Sequence, residues 1–159
     1  MDNNITFDDL VRFFSKIPGF KSIAEQDLRN LVAPIVCIST YEANQTIIRT
    51  GEPGDTLYML YDGQVRVDFP ANNSERKSDF MESGDIFGEM ALVSQARRSA
   101  NVVATQPCTC LTIDAESFQD IMKNHWRIAR AVAGLVGERF VARATSKKDN
   151  PKPDRNNPR

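Results

Sequence analysis

A chain of 159 residues with 41% apolar side chains, nine of them Phe, has enough hydrophobic surface for one core, and one folded unit is expected. Twenty Lys and Arg against 21 Asp and Glu leave a net charge of −1, which excludes a global attraction to nucleic acid or an anionic membrane, so any bound anion must be held locally. No run approaches the roughly 18 apolar residues of a membrane span, and Met1-Asp2-Asn3-Asn4 lacks the basic and apolar regions of a signal peptide, so no membrane span and a cytoplasmic location are expected.

In chain order, Thr6 stands three residues before Asp9 in a capping-box pattern, and Phe7, Leu10, Val11, Phe13 and Phe14 follow at helical spacing, which predicts a short amphipathic helix. Ile17-Pro18-Gly19-Phe20 breaks it, and Ser22 to Glu25 reads as the start of a second helix through Leu28, Leu31 and Val32 toward Pro34. From about Val36 the texture becomes β-branched and aromatic, split by turn residues, as in a chain of short antiparallel strands. Strands are predicted over Thr46 to Arg49 and Leu57 to Tyr61, with Gly51-Glu52-Pro53-Gly54-Asp55 as the turn between them. Asp62-Gly63 predicts a type I′ hairpin into Val65, Val67 and Phe69, which alternate with Arg66 and Asp68. After a polar loop from Ala71 to Lys77, further strands fall near Ser78 to Met81, Ala100 to Thr105 and Cys108 to Ile113.

Cys108 and Cys110 alternate along the last of these strands and read as small buried hydrophobes. With Cys37 they make an odd number without a CxxC pair, and His125 is the lone histidine, so no metal site is expected. Asp114 and Ser117 introduce a helix carrying Phe118, Ile121 and Met122, and a longer one runs from about Trp126 to Ala144. From Ser146 the chain is Lys, Asn, Asp, Pro and Arg without a large apolar residue, so residues 1–145 are read as the domain and 146–159 as a disordered polar tail.

The chemistry concentrates in Gly84-Asp85-Ile86-Phe87-Gly88-Glu89-Met90-Ala91-Leu92-Val93 and the following Ser94 to Val102, which holds Arg97-Arg98-Ser99-Ala100-Asn101. Gly88 lets backbone approach a ligand, and the turn from Glu89 to Leu92 offers free N–H groups at Met90 and Ala91 to an anion. Arg98 brings a planar fork suited to the two exocyclic oxygens of a singly charged phosphodiester. This stretch resembles the phosphate-binding cassette of cyclic-nucleotide-binding domains: Phe-Gly-Glu, an aliphatic residue, Ala-Leu, a short loop, then Arg-Ser/Thr/Ala-Ala. The nine residues from Glu89 to Arg98 match that spacing without a gap. Gly51 to Asp55 with Leu57-Tyr58 and Asp62-Gly63 looks like the family's first β-hairpin region, and the similarity covers roughly Ile17 to Arg143.

The resemblance implies an α+β, mainly β fold: an antiparallel eight-stranded β-roll of jelly-roll kind, with N-terminal helices, a short cassette helix and two C-terminal helices. It implies a ligand, cAMP or cGMP, and no catalytic residues, cofactor or metal. The site would be Gly88, Glu89, Met90, Ala91, Arg98, Ser99 and Ala100. Glu89, which would repel phosphate, is useful as an acceptor for the ribose 2′-hydroxyl, while the family register makes Arg97 a solvated neighbour. Family counterparts of Ser99 are Ala in many cAMP-selective domains and Thr or Ser where cGMP is also accepted; cAMP is favoured as the more widespread ligand, with cGMP open.

The final helix is expected to act as a lid, with Leu135, Arg139 and Phe140 the residues that would touch the purine. Its stripe of Ile128, Val132, Leu135 and Val136 also reads as plain core. Gly134 and Gly137 each weaken that helix by roughly 1 kcal/mol against Ala, so ligand binding could order or redirect it.

A transcription regulator of the same family would need a helix-turn-helix after the long helix, and the tail offers only Lys147, Lys148, Lys152, Arg155 and Arg159 against Asp149 and Asp154. A cupin-type enzyme would need several metal-binding histidines. A kinase or channel would need a catalytic or membrane part. The expected protein is a monomeric stand-alone sensor or regulatory module that binds a cyclic nucleotide and signals to an unknown effector, not to nucleic acid; the competing reading is a β-roll adaptor that has lost nucleotide binding.

Overall fold

The computed structural model describes residues 4–70, 78–89 and 96–146, with 139–146 as helical backbone only. Helix α1 spans Phe7–Lys16 and opens on the foreseen capping box: the Thr6 hydroxyl accepts from the Asp9 N–H at 3.2 Å, and Asp9 Oδ2 accepts from the Thr6 N–H at 2.9 Å. These bonds satisfy two amide groups the first turn would leave orphaned, and hydrogen bonding by Thr6 holds the Asp9 carboxyl below its ordinary value. Thr6→Ala should cost about 1 kcal/mol, the usual worth of such a cap, read as a lowered urea midpoint at unchanged slope.

Pro18–Phe20 forms a single 3₁₀ turn. The second helix begins later than Ser22 suggests: α2 spans Glu25–Asp27 with Ala24 as an uncapped N-cap, because the preceding residues still belong to the turn that bonds Ile23 N–H to Phe20 O at 3.0 Å. It widens into a π turn at Leu28–Val32 and tightens into 3₁₀ at Ala33–Ile35, where Pro34 has no N–H to continue an α-helical ladder.

Eight strands follow: β1 (Cys37–Tyr41), β2 (Thr46–Ile48), β3 (Thr56–Asp62), β4 (Val65–Asp68), β5 (Ser78–Met81), β6 (Ile86–Phe87), β7 (Asn101–Ala104) and β8 (Cys108–Asp114). They pair antiparallel in two four-stranded sheets, ordered β1-β8-β3-β6 and β2-β7-β4-β5. This is the eight-stranded roll. Strands β3 and β8 serve both sides of the first sheet: Leu57, Met59 and Leu111 face the helices, while Leu60, Cys108 and Cys110 face the second sheet. Two cores result, one between helices and sheet and one inside the roll, where Val65, Val67, Phe87 and Val102 meet Leu60 and Cys110. Both cysteines are buried as expected, and burial pushes the Cys110 thiol up to about 12.

The Asp62-Gly63 turn departs from the hairpin reading. Strands β3 and β4 lie in different sheets, and only Gly63 of the pair has positive φ, at 101°. The turn passes the chain from one sheet to the other, which a local sequence signal cannot distinguish from a hairpin. Strand β6, two residues long, was not foreseen; it pairs Ile86 with Met59 and Phe87 with Tyr58.

Helix α3 spans Ala115–Asn124 behind its N-cap Asp114, whose carboxylate accepts from Ser117 N–H at 2.9 Å and is held below its ordinary 3.8 chiefly by that bond. The cap therefore contributes fully above the unfolded value and is lost as pH falls through the lower folded one. Helix α4 spans Trp126–Ser146, and Ile128, Ala131 and Val132 bury one face of it beside Phe118 and Ile121. The polar loop (71–77), the cassette turn of Glu89 to Leu92 beyond Glu89 itself, and the tail read over 146–159, except Ser146, which still belongs to α4, lie outside the described residues.

Candidate functional site

Strand β6 ends at Phe87 and delivers Gly88, with φ 81°, and Glu89 beside the start of β3. From the other direction the chain returns through Arg97 and Arg98 into β7. Among the described residues, Glu89 (3% exposed) and Arg98 (8% exposed) are the charged side chains that are buried. Charge is costly to bury without compensation, so two such residues flanking one glycine mark a candidate site.

Arg98 is held at both ends. Its Nη1 donates to the Gly88 carbonyl at 2.7 Å and its Nη2 to the Thr56 carbonyl at 2.8 Å. The guanidinium carbon lies 5.8 Å from the centroid of the Tyr58 ring, which stacks in turn on Phe87 at 5.0 Å with 7° between the planes. The backbone is pinned as well: Arg98 N–H donates to Glu52 O and Gly51 N–H to Arg98 O, both at 2.8 Å, and Asn101 Oδ1 accepts from Thr50 N–H at 2.8 Å. The Gly51 to Asp55 turn thus acts as a brace for the arginine. An arginine fixed in this way loses little further freedom when it meets an oxyanion, which favours binding.

Gly88 cannot be replaced cheaply. A Cβ there would sit 2.7 Å from Arg98 Nη1, 3.1 Å from Thr56 O and 3.2 Å from Tyr58 Cδ2. The sequence reading assigned Gly88 to approach of a ligand; the described contacts show that it first admits the guanidinium to its own carbonyl. Burial raises the hydroxyls of Tyr41, to about 12, and of Tyr58, the latter opposed by Arg98, so both remain protonated at neutral pH.

The structure brings Gly88, Glu89, Arg98 and Ala100 to one place; Ala100 is buried in the roll beside Val102, and Ser99 is exposed next to Arg98. Arg97 is exposed, as foreseen, and donates from Nη1 to Gly51 O at 2.9 Å. Met90 and Ala91 lie outside the described residues, as do the side chains of Arg139 and Phe140. Leu135 packs with the helical core, its Cγ 3.3 Å from the position a Cβ on Gly19 would take, so the described structure places it against the Pro18–Phe20 turn. Thr56 and Tyr58 were missed as site residues. Thr56 acts through its carbonyl, which no side-chain pattern reports, whereas Tyr58 stood in the family-like Leu57-Tyr58 pair.

Comparison with known proteins shows the family and the fold. The sequence profile of the cyclic nucleotide-binding domain matches residues 38–125. The chain belongs to that family, whose domain is a regulatory module without catalytic machinery. It is 32% identical over 119 residues, 72% of this chain and 15% of the relative, to a cGMP-dependent protein kinase of Drosophila melanogaster. It therefore spans less than a fifth of that protein's length. Among solved structures, a cyclic nucleotide-binding domain from Methylobacillus flagellatus superposes with a TM-score of 0.77 at 22% identity, covering 92% of this chain and 84% of that one. The regulatory domain of Toxoplasma gondii protein kinase A, solved with cAMP, gives 0.66 at 24% identity over 73% and 45% of the two chains. Among the described residues no helix is long and apolar enough to cross a membrane.

Proposed function

We propose that the chain is a sensor module in which Arg98 and the amides at Met90 and Ala91 hold the cyclic phosphate of cAMP or cGMP while Glu89 accepts the ribose 2′-hydroxyl. The observation that carries this reading is Arg98: a buried guanidinium, braced by two carbonyls and an aromatic face, beside a buried carboxylate. The planar fork of such a group suits the two exocyclic oxygens of a monoanionic phosphodiester, and a carboxylate next to it can accept from a hydroxyl. Ser99, exposed beside Arg98, adds a hydroxyl that either purine ligand could meet. We take cAMP as the first ligand and cGMP as the second. The closing of α4 over the base, through Leu135, Arg139 and Phe140, belongs to the same proposal and requires Leu135 to leave its seat near Gly19.

Calorimetric titration with both nucleotides tests the reading. A 2′-deoxy analogue of whichever binds should lose about 1.5 to 3 kcal/mol, the usual net worth of a hydrogen bond to a charged group, and Glu89→Gln should shrink that difference. Failure of both nucleotides to bind the full chain would leave the β-roll as an adaptor.

A further inference from the structure

The start of α4 breaks a local rule of helix chemistry. The N-terminal end of a helix carries partial positive charge and favours acidic residues, yet the first turn of α4 holds none. It opens instead on Trp126 and Arg127, with Arg130 one turn later, and all three are exposed, Trp126 to 65%. Among the described residues the ion pairs involve neither arginine. The Arg127 guanidinium lies 5.4 Å from the Trp126 ring centroid, so its planar fork is already oriented.

Beside these residues is a surface cleft of about 420 Å³, bounded by Ser22 and Gly19 on one side and by α4 on the other. Trp126, Arg130, Gly134 and Glu138 recur every fourth residue and form one ridge along the helix. Gly134 interrupts it, since a Cβ there would meet nothing within 4 Å. The lining shares no residue with the Arg98 site. Two exposed arginines at one end, with Glu138 the one acid of the described lining two turns beyond Arg130, an exposed Trp and a gap in the ridge together describe a surface for a charged partner with an apolar anchor; Trp and Arg are the side chains that dominate such contacts.

We propose that this cleft docks an acidic segment of a partner protein, with its carboxylates on Arg127 and Arg130 and a neighbouring apolar side chain seated over Gly134 beside Trp126. A second copy of this chain is a poor occupant, because a two-fold contact would set the same arginines against each other. The inference is independent of the Arg98 assignment and rests on the arrangement in which Leu135 sits against Gly19.

The test is selection of random dodecapeptides displayed on phage against the full chain, with counter-selection against a Trp126→Ala, Arg130→Glu double variant. Both side chains are exposed, so the variant should fold. Enriched sequences should carry Asp or Glu within three residues of Leu, Ile, Phe or Trp. A synthetic peptide of that kind should bind at least tenfold more weakly to either single variant and more weakly as salt rises. Enrichment without acidic residues, equal binding by the variants, or no enrichment would overturn the proposal. So would a dimer in sedimentation that Trp126→Ala disperses, or a preference of the cleft for a single-stranded oligonucleotide.

Discussion

Arg98→Ala is expected to lower cyclic nucleotide affinity by two to three orders of magnitude and to lower stability at the same time. The first effect follows from charge-assisted hydrogen bonds: at the lower part of their range, about 1.5 to 2 kcal/mol each, the loss of two reaches about 3 to 4 kcal/mol, or roughly 150- to 800-fold. The second follows from what Arg98 does without ligand. Its two outer nitrogens hold the Gly88 and Thr56 carbonyls, 10 and 42 residues away in sequence. Removing the side chain leaves both partly buried acceptors to find water, at about 1 kcal/mol each. Arg98→Lys separates the two roles. It keeps the charge, but one ammonium cannot replace a fork that spans two carbonyls and an oxyanion, so binding should fall less than in the Ala variant while the structural loss persists. Calorimetry gives the affinities and urea unfolding the stabilities. Wild-type affinity in Arg98→Ala would move the phosphate contact elsewhere and end the site assignment.

The parts of the site legible in sequence are those that act through side chains. Glu89 and Arg98 stand out because their charge, spacing and neighbours constrain each other, and they prove to be the buried charged pair among the described residues. What holds Arg98 was hidden. Thr56 and Gly88 contribute carbonyls, and Glu52 contributes its backbone to Arg98 N–H, none of which depends on the residue type that the sequence prints. The fold shows the same division. Strand positions such as Ser78–Met81 follow from composition and alternation, and the Thr6 box from local hydrogen bonding. Sheet membership does not, because β3 pairs with β8 and β4 with β7, partners 47 to 58 and 33 to 39 residues distant. A turn that looks like a hairpin is therefore free to be a crossing between sheets.

That crossing makes Gly63 the position where a single methyl group should be most damaging to the fold. An added Cβ would lie 2.6 Å from Pro107 O, 2.8 Å from Cys108 Sγ and 2.9 Å from Cys108 Cα. Two of these three atoms are backbone, so no rotamer change relieves the contact. The segments are also tied together: Gln64 O accepts from Thr105 N–H and Thr105 Oγ1, each at 3.0 Å, and from Cys108 Sγ at 3.2 Å. Separating them to admit the methyl breaks bonds that fix the start of β8 against the start of β4. The positive φ of 101° adds backbone strain of about 1 to 2 kcal/mol for any L side chain. Gly63→Ala should therefore cost at least about 3 kcal/mol in all, which for a domain of this size lowers the melting temperature by about 10 °C. Its signature differs from that of Arg98→Ala: Gly63 touches no proposed ligand group, so nucleotide affinity measured well below the transition should stay within a few-fold of wild type. A variant that melts normally would show that the two sheets can part at this crossing, and that the close approach of Gly63 to Pro107 and Cys108 is not a requirement of the roll.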